Sequence, residues 1–149
     1  MKLQQLQKII DTQLADQFGV FGLRVMEYDD DDVNASAHLD KFIIRMSTAA
    51  LALPRPQCLA IFAHEVAHLI CYHHNHLSGH FIEYEADRIS VEVLEHLGMT
   101  KLAITKLMAD YSKVLQKEYG DDIVDRDSNS HPSINKRIEA IDGLGRNRS

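Results

Sequence analysis

The chain has 149 residues, 45% of them hydrophobic, enough for one domain with a real core and too few for two comfortable ones. Its 16 Lys and Arg stand against 22 Asp and Glu, and the net charge of -6 repels phosphate backbones and anionic membrane surfaces, so nucleic acid is not an expected partner. There is no run of eighteen apolar residues and no unbroken apolar core in MKLQQLQKIIDTQLADQF, so neither a membrane span nor a secretion signal is expected, and the expected location is cytoplasmic.

Leu3, Leu6, Ile10, Leu14 and Phe18 recur at helical spacing and Gly19 supplies a stop, which predicts an amphipathic helix over 2–18. Three stretches then read as a small three-stranded sheet: VFGLRVMEY at 20–28, VNASAH at 33–38 and FIIRM at 42–46. The acidic run 29–32 lacks the spaced ligands and glycine of a calcium loop and reads as a solvated turn.

From Ser47 the pattern is helical, and Pro56 suits the first turn of a helix whose apolar stripe is Leu59, Phe62, Val66, Leu69 and Ile70. Further helices are expected from about His80 to Leu97, ended by Gly98, and from Thr100 to about Tyr119. DDIVDRDSNS at 121–130 reads as a loop or lid, Pro132 opens a last helix, and the tail from about residue 146 is expected to fray. The pattern is α+β and predominantly helical, a single domain over 1–149.

The chemistry lies in FAHEVAHLICYHHNH, residues 62–76, where His64, Glu65 and His68 form HExxH. Residues four apart on a helix lie one above the other, so both imidazoles can face one ion while Glu65, about 100° round, borders the same place. The composition alone yields a chance HExxH with a probability of about 3%, so further residues must agree. Continuing the helix aims His73, His74 and His76 about 180°, 280° and 120° away from His64, off the shared face.

A hydrolytic zinc site takes a third protein ligand and leaves one position open. EYEAD at 83–87 supplies the acid: with Glu83 at zero on a helical wheel, Asp87 falls at about 40° and Glu85 at about 200°. Glu83 is therefore the better ligand. Asp87, one turn on, is suited to accept the ring N–H of a ligand histidine and fix its orientation. Cys71 would lie about 20° from His64, so a His/His/Cys set is a geometric alternative, although the lack of a CxxC pair favours a buried, inert thiol. Cys58 and Cys71, about 20 Å apart if on one helix, are beyond disulfide reach.

With these residues in place, the chain resembles the HtpX and CAAX-protease-type gluzincins, metallopeptidase family forty-eight. HEVAH followed by EYEAD is similar to that family's HExxH and ExxxD pair, SHPSINKRI at 130–138 looks like its HP-x4-RI element, and NASA at 34–37 resembles the short strand before its metal helix. The likeness runs from about Val33 to Ile141. It implies a zincin-like (gluzincin) fold with the small sheet packed on the HExxH helix, and one zinc ion per chain on His64, His68 and Glu83. It also implies Glu65 as general base, Asp87 as support for a ligand, His131 near the oxyanion and Arg137 anchoring that segment. Read without it, His131 is a helix cap before Pro132.

The implied activity is that of a zinc metalloendopeptidase acting on a peptide or protein substrate through a zinc-activated water, a minimal soluble version of a family whose best-known members are integral membrane or exported proteins. An extended substrate would add to the sheet edge at Asn34, Ala35, Ser36 and Ala37. Three alternatives stay open: a two-His, one-carboxylate iron oxygenase, a zinc-stabilised helical interaction module with little or no turnover, and a self-inhibited peptidase covered by residues 120–131.

Overall fold

The computed structural model describes residues 1–74, 80–107, 109 and 110, with side chains at all of these except 73, 74 and 80–83. The described chain is mixed α+β, mostly helical, with a three-stranded sheet, and divides into two compact units, Met1–His76 and Leu77–Ser149. Among the described residues no helix is long and apolar enough to cross a membrane.

In the first unit the N-terminal periodicity folds as α1 (Leu3–Ile9), a π-helical turn (Ile10–Leu14) and α2 (Ala15–Phe18). The π turn has a cause in the spacing. Leu6, Ile10 and Leu14 are four apart, which in a pure α-helix drifts about 40° per step. The wider i→i+5 turn absorbs that drift, and all three side chains are fully buried. Gly19 ends α2 at φ 70, a left-handed conformation that costs glycine nothing.

β1 (Arg24–Tyr28) and β2 (Ala35–His38) are shorter than their sequence patterns, while β3 (Ile43–Ser47) keeps the predicted length and is shifted by one residue. Val20 and Leu23, inside the predicted first strand, are buried in the turn that leads into it. The sheet order is β1-β3-β2, with β1 parallel and β2 antiparallel to β3. Side chains alternate across it: Val25, Ile44 and Met46 are buried on one face, while Arg24, Met26, Arg45 and Ser36 are exposed on the other.

Ser47 closes β3 and caps the single turn α3 (Thr48–Leu51), its hydroxyl accepting the Ala50 N–H at 3.0 Å. After Pro54 the chain enters α4 (Arg55–His74), with Pro56 in its first turn as expected. This helix, which carries HExxH, lies against β2 and β3. The predicted stripe, Leu59, Phe62, Val66, Leu69 and Ile70, is buried together with Cys58, Ala63, Ala67 and Cys71.

In the second unit α5 (His80–His96) buries Ala86, Asp87, Ile89, Ser90, Val91, Val93 and Leu94. Its end is a glycine stop: Gly98 has φ 97, and the Gly98 and Met99 amides return to the Glu95 and Leu94 carbonyls, each at 3.0 Å. Thr100 then caps a helical stretch at 101–107, its hydroxyl accepting the Ala103 N–H at 3.1 Å. The loop expected at 121–130 and the helix expected after Pro132 lie outside the described residues.

Candidate metal centre

α4 is buried on most of its circumference, and His64, Glu65 and His68 belong to the strip that keeps partial exposure. The i, i+4 spacing does what helical geometry requires. The two Nε2 atoms converge to 3.0 Å, with the ring planes 84° apart and their centroids separated by 4.6 Å. At that distance one nitrogen donates to the other, in a direction set by the tautomers. The same separation is close to the roughly 3.3 Å between two nitrogens bound at 2.0–2.1 Å to one tetrahedral ion. The separation is therefore compatible with two imidazole ligands of one ion, once the proton shared between the two Nε2 atoms is displaced. Among the described residues no group of three or more His, Cys, Asp and Glu comes together as a metal site.

Beside α4, β2 is an edge whose backbone is set from one end. The Ser47 N–H donates to the Asn34 carbonyl at 2.9 Å, and the Ser47 hydroxyl accepts the Asn34 N–H at 3.0 Å. Antiparallel ladders alternate, so Ser36 and His38 turn their backbone groups toward β3, and Ala35 and Ala37 turn theirs outward. Asn34 Oδ1 accepts the Ala35 N–H at 2.9 Å. That leaves the Ala35 carbonyl and both polar groups of Ala37 facing away from the sheet.

The opposite edge is covered at its start. The Gln7 side-chain amide donates to the Leu23 carbonyl and accepts the Val25 N–H, both at 3.0 Å, so α1 mimics a neighbouring strand along β1. Neither the Ser47 clasp nor the Gln7 cover is among the features predicted from sequence. Ser47 directly before a helical pattern was the one available signal, a capping residue in position.

On α5, Glu83 and Asp87 occupy successive turns of one helix, as the spacing requires, and Asp87 is buried. The Glu83 side chain lies outside the described residues, as do His131 and Arg137. Glu85 is engaged elsewhere. Its carboxylate takes the Arg88 guanidinium, whose Nε lies 3.1 Å from Oε1, and Arg88 also reaches Glu92 at 2.8 Å. The hydrogen bond from Arg88 holds the Glu85 carboxyl below the usual carboxylate range, against an opposing push from partial burial. This ladder accounts for the chemistry of Glu85 without a metal.

No protein-family profile, curated protein or solved structure matches the chain. The site therefore stands on its own residues. Cys58 and Cys71 share α4, as expected, and both are fully buried and outside any disulfide. Burial pushes the Cys58 thiol up, outweighing the pull of nearby positive charge.

Proposed function

We propose that this chain is a zinc-dependent metalloendopeptidase with a zincin-like (gluzincin) fold, as its resemblance to metallopeptidase family forty-eight implies. The observation that carries the reading is the 3.0 Å convergence of His64 and His68 Nε2 on a helix that lies against an edge strand, with Glu65 between them in sequence. His64 and His68 would hold the ion, and Glu83, assigned from its sequence spacing, would be the third ligand. When bound by two neutral imidazoles and a carboxylate, zinc would supply Lewis acidity toward a peptide carbonyl and would acidify a water.

The remaining chemistry belongs to the chain. The Glu65 carboxylate takes the proton of the attacking water and returns it to the leaving amine. β2 binds the substrate backbone in extended form through its outward groups, which orients the scissile bond without reading side chains. Asp87, by the same resemblance, would accept the ring N–H of a ligand histidine and fix its tautomer. In the same reading His131 donates to the developing oxyanion and Arg137 anchors its segment.

The test is metal analysis combined with cleavage of an unfolded protein. Wild type and Glu65→Gln should each hold one zinc, with cleavage reduced 10²–10⁴-fold in the variant. His68→Ala should lose the metal. Iron in place of zinc would turn the assignment toward an oxygenase, and full activity of Glu65→Gln would remove Glu65 as the base.

A further inference from the structure

The register of the sheet says which side chains an added strand would meet. Cross-strand partners share a face, so Arg24, Ile43 and His38 form one row across the sheet and Met26, Arg45 and Ser36 form the next, both on the exposed face. Among the described residues no carboxylate lies in these rows. Glu27 belongs to the opposite parity, and Asp40 and the 29–32 run sit in the connections. The Arg45 guanidinium stands over the Tyr28 ring, 4.9 Å from its centroid, and so stays on this face. In a chain of net charge -6, the exposed face of the sheet is cationic.

A peptide laid along β2 would extend both sets of rows. Its residues opposite Ser36 and His38 would continue the cationic rows, while those opposite Ala35 and Ala37 would turn to the other face. We propose that the substrate class of this site is an extended polypeptide with acidic side chains at alternate positions, opposite Ser36 and His38. The proposal rests on the peptidase reading in one respect, that β2 receives the substrate.

The magnitude follows from distance. A strand beside β2 lies two strand spacings from β3, about 10 Å from the Arg45 position, where a unit charge in water changes affinity about twofold. Reversing one arginine removes that attraction and adds equal repulsion, an expected fourfold change. The effect fades as salt shortens the screening length.

The experiment uses the full zinc-loaded chain and one unstructured fluorescent peptide with Glu, Gln or Lys at alternate positions. Cleavage by wild type and binding to Glu65→Gln, read by anisotropy, should both rank Glu above Gln above Lys at low salt. The ranking should flatten at 0.5 M salt, on the order of three times physiological ionic strength. Arg24→Glu with Arg45→Glu should invert it, and Arg45→Gln, the milder change, should weaken it. Equal affinity for all three peptides, no binding of any of them, or an unchanged order in the charge-reversed protein would overturn the proposal. If wild type cleaves nothing while Glu65→Gln binds in the expected order, the peptidase reading fails and the acidic-peptide surface stands. If wild type cleaves all three equally, the reverse holds.

Discussion

Ser47→Ala isolates the clasp that fixes the start of β2. The Ser47 side chain is fully buried and its hydroxyl accepts two backbone N–H groups, from Ala50 and Asn34, each at 3.0 Å. Losing the cap on α3 costs about 1 kcal/mol. Losing the acceptor for Asn34 costs a further 0.5–1.5 kcal/mol or so, because that residue is exposed and water replaces the bond in part. The total is about 2 kcal/mol, which for a chain of this size lowers Tm by roughly 4–8 °C. Urea unfolding followed by circular dichroism measures the change, and amide exchange at Asn34 should quicken in the same variant. Thr48→Ala is the control: its hydroxyl makes one exposed bond, to the Tyr28 carbonyl at 3.1 Å, and its loss should cost about 0.5 kcal/mol or less. A Ser47→Ala effect no larger than that of the control would refute the account of β2 as a strand held from Ser47.

Three further outcomes follow from described contacts. Gln7→Ala removes the cover from the β1 edge, so the variant should be about 1–2 kcal/mol less stable and should self-associate on gel filtration at concentrations where wild type stays at one size. Glu85 has a folded pKa below its unfolded value of about 4.3, so its contribution is present above that pH and lost as pH falls through the folded value. The Arg88 side chain is 37% exposed, so solvent screening limits the effect to about 0.5 kcal/mol, and the stability difference between wild type and Glu85→Gln should vanish in acid. Cys58 and Cys71 should resist a thiol reagent in the folded protein and react together on unfolding; fast labelling of either would contradict their burial.

The sequence by itself determined the local features, because each rests on a short period or a single residue type. The 3.6-residue period marked α4 and its buried stripe, the i, i+4 spacing set the His64 and His68 convergence, and glycines at 19 and 98 placed two helix ends. The wheel also separated Glu85 from Glu83, and the Arg88 ladder gives Glu85 an occupation of its own.

Only the tertiary structure decided the order β1-β3-β2, because three short apolar stretches are compatible with several pairings and their choice depends on which faces α1 and α4 cover. It also decided which end of which sheet edge Gln7 and Ser47 hold. Gln7 reaches Leu23 and Val25 across sixteen and eighteen residues of chain, and Ser47 reaches Asn34 across thirteen. Hydrogen bonds at such separations leave no periodic trace in a sequence, since one polar side chain on a helix or at a strand end looks like any other until the backbone it meets is in place.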